Sequence, residues 1–205
     1  MAEKLVRFGL NNVYYAVVTD TETQTYDTPV AFPGAVSLSL EPSGDSSQFW
    51  ADNIKYATFS TNGGYSGTME MAAATDQVLI DLLGYIQDDN GMLIEPTDAS
   101  TVYFALMFEV SGNIRGQRSV LYNCSLARPS RNANTKTDST DPDTIELEFE
   151  ASSVDFDVAG ETRNIVMATL ENTTDTADAY SAWFDEVTIP TGSEEEEEST
   201  EETTD

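Results

Sequence analysis

The stretch TVYFALMFEVSGNIRGQRSVLYNC (residues 101–124) predicts two antiparallel strands joined by a tight turn near SGN (111–113). Side chains of a strand alternate between the two faces of its sheet. In the first strand both sets are apolar: one holds Val102, Phe104, Leu106, Phe108 and Val110, and the other holds Tyr103, Ala105 and Met107. Antiparallel sheets usually turn one polar face to water. We therefore expect both faces of this strand to be covered, the second one by a neighbouring helix or by another subunit.

Composition excludes several classes of function. The 205-residue chain is 40% hydrophobic, which is enough for a core, and has no apolar run near the ~20 residues of a membrane span. The N-terminal MAEKLVRF lacks the apolar region of a signal peptide, so we expect synthesis and assembly in the cytoplasm. Cys124 is the single cysteine and histidine is absent. An intrachain disulfide, a cysteine metal cage and a Ser-His or Cys-His nucleophile are therefore excluded, and we expect no catalytic, cofactor-binding or metal-binding residues.

The charge balance is strongly acidic, with 37 acidic and 9 basic residues and a net charge of −28. The terminal SEEEEESTEETTD (193–205) holds 8 of the acids, so 29 acidic residues remain in the rest of the chain. Such a surface repels phosphate. A protein that grips nucleic acid or an anionic membrane is therefore not expected.

Strand patterns dominate the remainder of the chain. GAVSLSLE (34–41) alternates, with Val36 on the predicted inner face, and TIELEFEA (144–151) alternates in the same way. Around Ser152 and Ser153 the alternation changes parity, which predicts a bend or bulge. One helix is predicted over about 75–86, with Thr75 as N-cap and Gly84 at its C-terminal end.

The predicted fold is mainly β (α+β): an antiparallel β-sandwich or flattened barrel with one flanking α-helix. Residues 1–190 would form one domain, with a C-terminal aromatic arm over 171–190. Residues 191–205 would form a disordered acidic tail.

Two sets of side chains are candidate functional residues. Glu146, Glu148 and Glu150 share one strand face, which is either an ordinary solvent face or an anionic wall. The second set is aromatic and lies in segments with weak strand character. Its members are either core anchors or subunit contacts: Phe49, Trp50, Trp183 and Phe184.

Acidic loop clusters do not support a metal site. The stretches QDDNG (87–91) and TDSTDPDT (137–144) lack the glycine and glutamate spacing of an EF-hand. We expect them to be solvated turns.

An ordered set of stretches resembles the major tail proteins, or tail tube proteins, of long-tailed, non-contractile bacteriophages of Gram-positive bacteria. The stretches span about residues 7–152 and include RFGLNNVYYA, TPVAFPGAVSLSLEPSGDSSQFWADNIKY, NGGYSGTMEMA, LLGYIQDDNGMLIE, YFALMFEVSGNIRGQRSVLYNCSLARPS and DPDTIELEFEAS. The resemblance implies a β-sandwich subunit of a virion tail. Six copies would form a ring, and rings would stack into a tube around the tape measure protein. Tail terminator and distal tail proteins would cap the tube, DNA would later pass through it, and no cofactor or reaction is implied.

The leading expectation is therefore a self-assembling tube subunit, with the polar loops 19–34 and 127–143 making ring-to-ring contacts and becoming ordered on assembly. A carbohydrate-binding or adhesive β-sandwich is the alternative, in which Trp50 or Trp183 would stack on sugars. A DNA-mimicking inhibitor is a third class, suggested by the charge alone.

Overall fold

The computed structural model describes residues 9–44, 46–51, 54–60, 62–111, 116–131 and 144–192, with backbone only at 46, 47, 49, 51 and 57–60. These residues form fifteen strands and two helices. In chain order they are β1 (Leu10–Asp20), β2 (Thr25–Tyr26), β3 (Val30–Ala31), β4 (Ala35–Ser43), β5 (Ser46–Ala51), β6 (Ile54–Ser60), β7 (Gly64–Met71), α1 (Asp76–Leu83), β8 (Ile86–Gln87), β9 (Leu93–Ile94), β10 (Tyr103–Val110), β11 (Gln117–Leu126), β12 (Ile145–Ser152), β13 (Val154–Val158), β14 (Glu161–Ile165), β15 (Met167–Glu171) and α2 (Ala177–Ser181).

The main sheet has nine strands in the order β2-β1-β10-β11-β12-β7-β4, with β3 beside β1 and β15 beside β11. Two strands pair with successive parts of β11: its residues 117–121 pair with β15, and its residues 123–126 pair with β12. The strands β12, β7 and β4 therefore diverge from the rest as a second layer. The segment 30–43 joins the two layers, because it pairs with β1 through β3 and with β7 through β4. This is the predicted mainly β sandwich with a flanking helix.

Helix α1 begins and ends at the predicted caps. The Thr75 side-chain oxygen accepts a hydrogen bond from the Val78 amide at 3.4 Å, and Gly84 adopts a φ of 68° at the C-terminal cap. The helix stops at Leu83, so the predicted range 75–86 was too long. Ile86 belongs to β8 instead, and its side chain is exposed.

One hydrophobic core lies between the two layers, beneath α1. It includes Phe104, Leu106 and Phe108 from one face of β10, packed with Val78 and Leu82 of α1. Gly67 of β7 makes room in this core, because a Cβ there would come within 2.2 Å of the Phe149 ring.

A second core covers the opposite face of β10, the second apolar face that the sequence predicted for this strand. Ala105 and Met107 are fully buried in it. Their cover comes from Phe156 of the β13–β14 hairpin and from Trp183 and Val187. The last two belong to residues 177–190, which we call the C-terminal segment. The expected cover by α1 was wrong, because α1 packs on the other side of the sheet. The chain itself covers Ala105 and Met107, whereas Tyr103 at the start of the strand is exposed.

The bend predicted at Ser152 and Ser153 is the point where the chain changes layers. Ala151 at the end of β12 lies in the first core, whereas Val154 at the start of β13 lies in the second core. The parity change in the sequence therefore marks a crossing between two cores.

Local irregularities account for the other differences from prediction. At the start of β4, Ala35 pairs with Met71 and Ser37 with Glu70, so Val36 is the extra residue of a bulge and its side chain is exposed, not inward.

The loop 19–34 contains β2 and β3, both paired with β1 within the chain, so its expected ordering on assembly was wrong. Of the other expected contact loop, residues 132–143 lie outside the described part, as do residues 193–205 of the acidic tail.

No helix in the described ranges has the length and apolar character needed to cross a membrane.

Candidate functional site

The outer face of β12, β7 and β4 is the candidate site, and it is lined with carboxylates. Glu146, Glu148 and Glu150 are all exposed on this face, while Leu147 and Phe149 between them are buried. Strand pairing extends the face sideways: the three glutamates lie opposite Glu70, Thr68 and Ser66 of β7, and these lie opposite Ser37, Ser39 and Glu41 of β4. We call Glu41, Glu70, Glu146, Glu148 and Glu150 the acidic face.

No basic side chain forms an ion pair with the acidic face within the part of the chain that the structure describes, although Arg131 lines a groove together with Glu146 at its edge. The ion pairs there join Arg118 to Glu109, Arg128 and Arg131 to Glu95, and Arg163 to Glu161. Glu70 instead accepts hydrogen bonds from hydroxyls, at 2.7 Å from Thr144 and 3.3 Å from Ser37. Carboxylates on alternate positions of one strand stand roughly 7 Å apart, where each pair repels by about 0.6 kcal/mol in water. The face therefore repels phosphate and attracts cations.

Two hairpins outside the main sheet present most of the exposed large apolar side chains of the described residues. The β5–β6 hairpin carries Trp50, which is 61% exposed, together with Ile54 and Tyr56. The β8–β9 hairpin carries Ile86, Met92 and Ile94. Of the predicted contact residues, Trp50 is thus on the surface, and the side chain of Phe49 lies outside the described residues.

Trp183 and Phe184 are packed within their own chain. Trp183 is 2% exposed in the second core, and its buried Nε1 has no hydrogen-bond partner in the part of the chain that the structure describes. The Phe184 ring stacks on Tyr14 with the ring centroids 4.6 Å apart. The interpretation of these two residues as subunit contacts is therefore corrected for Trp183, whose side chain no neighbouring subunit can reach. They anchor the C-terminal segment.

Arg118 fastens the C-terminal segment to the sheet. Its Nε lies 3.1 Å from the Glu109 carboxylate, and its Nη1 donates to the Tyr180 carbonyl. The guanidinium carbon stands 3.9 Å from the centroid of the Tyr180 ring and 4.7 Å from that of Phe184. Sequence reasoning missed this residue because a single arginine within an apolar strand has no periodic signal.

Buried ionisable groups in the cores stay neutral. Burial raises the pKa of the Tyr122 hydroxyl and of the Cys124 thiol. Tyr122 donates a hydrogen bond to the Thr188 carbonyl at 2.9 Å, another attachment of the C-terminal segment. A thiol held protonated in an apolar core is not a reactive nucleophile.

In the acidic turn at 87–91, the Asp88 carboxylate accepts hydrogen bonds from nearby backbone amides. Amide hydrogen bonds from Met92 and Asn90 lower the pKa of the Asp88 carboxyl. This is a loop closed by an aspartate side chain.

The comparison with solved structures finds a weak structural likeness. No family model and no curated protein matches the chain. Among solved structures, it is similar to a chain described as "Cryo-EM structure of the anti-feeding prophage (AFP) baseplate, 6-fold symmetrised". The identity is 12% and the TM-score 0.43, over 83% of this chain and 97% of that one. A likeness at this level assigns neither a family nor a function.

Proposed function

We propose that the chain is a non-enzymatic structural subunit of a phage tail tube, in which six copies form a ring and rings stack. The acidic face carries this proposal, since it offers a continuous anionic sheet surface with no basic side chain paired to it among the described residues. The ordered stretches within residues 7–152 that resemble tail tube proteins support it as well.

Turned toward a bore, the acidic face would let DNA pass without binding. Phosphate contacts depend on lysine and arginine, and a wall of carboxylates offers none. Repulsion acts over about 8 Å at physiological salt, so it keeps DNA off the wall without opposing contacts elsewhere. The tape measure protein would occupy the same bore before the DNA, and tail terminator and distal tail proteins would bind the two ends of the tube.

Contacts between copies must use surfaces other than the broad faces of β10 and β11. The first and second cores already cover both of those faces. Most of the exposed large apolar side chains of the described residues lie on the β5–β6 and β8–β9 hairpins, and the others are Val30, Val36, Tyr103 and Ile189. This supports assembly through projecting hairpins.

The first prediction is that purified protein forms rings or tubes in negative-stain electron microscopy at high concentration or raised salt. Salt favours assembly because it screens repulsion between copies of net charge −28. A protein that stays monomeric in all these conditions would contradict the proposal. If such a monomer bound glycans and lost that binding in Trp50→Ala, the carbohydrate-binding alternative would be favoured, since Trp50 is exposed.

The second prediction concerns the bore. Changing Glu146, Glu148 and Glu150 together to lysine should leave tubes intact and strongly reduce genome delivery by virions carrying the variant, because lysines would bind the passing phosphates. A matched control changes three other exposed acids, Asp155, Asp157 and Glu161 of β13–β14, to lysine. Equal infectivity of the two triple variants would argue against an acidic face in the bore.

A further inference from the structure

The second core covers only part of the second face of β10. Ala105 and Met107 on that face are fully buried, whereas Tyr103 is 39% exposed. β10 is an inner strand of the main sheet, between β1 and β11. A large aromatic side chain on an inner strand is usually covered, because its burial is favourable. Tyr103 is therefore an aromatic surface that the fold leaves open.

A polar cleft of about 470 Å³ lies at Tyr103. Glu22 and Gln24 of the β1–β2 turn line it, as do Ser153 and Asp155 at the start of β13. We call it the Tyr103 cleft. Its volume falls within the range of small-ligand sites, about 300–1,000 Å³, and a single chain supplies all of its lining.

Three irregularities of the backbone meet at this cleft. Tyr122 and Asn123 of β11 both stand opposite the single Ala105 of β10, which makes a bulge, and Asn123 lines the cleft. Ser153 lies at the bend between β12 and β13. Gln24 has a left-handed φ of 52°, which residues other than glycine seldom adopt. Bulges and left-handed residues concentrate at functional sites, because they aim side chains that a regular strand would direct elsewhere.

Hydrogen bonds orient the polar side chains of the Tyr103 cleft and leave some of their atoms available. Asn123 Nδ2 donates to the Ser152 hydroxyl at 2.8 Å, and Asp155 Oδ1 accepts from Asn164 Nδ2 at 2.8 Å. The side-chain oxygen of Asn123 and the hydroxyl of Tyr103 have no hydrogen-bond partner among the described residues. A ligand can therefore bond to both without breaking a contact within the chain.

The lining selects the chemistry of the ligand. The described residues that form it include no basic side chain, and the carboxylates of Glu22 and Asp155 are exposed at its rim, so anionic ligands are repelled. Its other polar groups are uncharged amides and hydroxyls, which both donate and accept hydrogen bonds. A sugar ring combines a C–H face that packs on an aromatic ring with a rim of hydroxyls. A basic peptide would be paired only by the two rim carboxylates.

We propose that the Tyr103 cleft binds a neutral saccharide, with one sugar ring packed on Tyr103 and its hydroxyls bonded to the side chains of Asn123 and Ser153. This function is separate from tube assembly, because the cleft is complete within one chain and none of its lining residues belongs to the acidic face. The two exposed carboxylates at the rim exclude saccharides that carry carboxylate or phosphate groups.

Calorimetric titration of the full chain tests the cleft. The probes are N-acetylchitotriose, cellotriose and maltotriose, with trigalacturonic acid as the anionic counterpart. At least one neutral trisaccharide should bind with a Kd in the millimolar range or below, and trigalacturonic acid should not bind. Tyr103→Ala should raise that Kd by about tenfold or more, since aromatic anchors dominate binding sites. Tyr103→Phe keeps the ring and should bind within about threefold of the wild type.

Two further variants complete the test. Asn123→Ala removes a proposed hydrogen bond without touching either core and should raise the Kd severalfold, so the test holds even if Tyr103→Ala does not fold. Trp50→Ala removes an exposed aromatic side chain from the β5–β6 hairpin and should leave the Kd unchanged.

Four results would overturn the Tyr103 cleft as a saccharide site. They are no binding of any neutral trisaccharide, equal binding of trigalacturonic acid, undiminished binding by both Tyr103→Ala and Asn123→Ala, and loss of binding in Trp50→Ala. None of them bears on the tube proposal, which electron microscopy of the assemblies tests separately.

Discussion

Replacing Trp183 with alanine is expected to lower the free energy of unfolding by about 3–5 kcal/mol, as removal of a buried tryptophan side chain does. The indole is 2% exposed and packs in the second core with Met107 and Val120. Alanine would leave a cavity over β10 and β11 and weaken the hold of the C-terminal segment. Urea unfolding followed by circular dichroism measures the loss.

Two control variants separate packing from other effects. Trp183→Phe retains a six-membered aromatic ring and removes an Nε1–H that has no hydrogen-bond partner among the described residues, so it should cost clearly less than Trp183→Ala. Trp50→Ala removes the same side chain from an exposed hairpin and should change stability by about 0.5 kcal/mol or less. Equal losses for Trp183→Ala and Trp50→Ala would show that the C-terminal segment is not a necessary cover of the second core.

Local features of this fold could be predicted from the sequence. Thr75 and Gly84 bound α1 because a side-chain oxygen and a left-handed glycine satisfy helix ends wherever they occur. Alternation placed Glu146, Glu148 and Glu150 on one exposed face, since strand geometry fixes that outcome without knowledge of neighbours.

Non-local features could not be predicted in this way. The cover of Met107 comes from Trp183 and Val187, far along the chain in a segment without strand or long-helix periodicity. An apolar second face therefore predicted that a cover exists but not which residues supply it. The bulge at Val36 depends on the pairing of β4 with β7, which alternation within β4 does not contain.

The candidate site shows the same division. Its three glutamates follow from one strand, whereas Glu41 and Glu70 join them only through the register of three strands.

Replacing Arg118 with methionine should lower the free energy of unfolding by about 3 kcal/mol. Breaking a buried ion pair costs about 3–5 kcal/mol, and this pair is placed at the low end because Arg118 and Glu109 keep side-chain exposures of 15% and 14%. Methionine preserves much of the apolar stem but loses the hydrogen bond to the Tyr180 carbonyl and the contacts with two aromatic rings. Thermal and urea unfolding give the measurement.

A double variant that adds Glu109→Gln to Arg118→Met identifies which lost contact lowers the free energy of unfolding. In Arg118→Met, the donors that remain to the Glu109 carboxylate among the described residues are the amide of Asn12 at 2.9 Å and the hydroxyl of Tyr180 at 3.3 Å. Because an unpaired, largely buried charge is more costly than a neutral amide, the double variant should lose only about 1–2 kcal/mol relative to the wild type. A double variant no more stable than Arg118→Met would show that Arg118 acts through Tyr180 and Phe184 and not through Glu109. The free energy of unfolding that the double variant regains relative to Arg118→Met therefore measures the part played by charge pairing with Glu109. The loss that remains measures the part played by the contacts with the C-terminal segment.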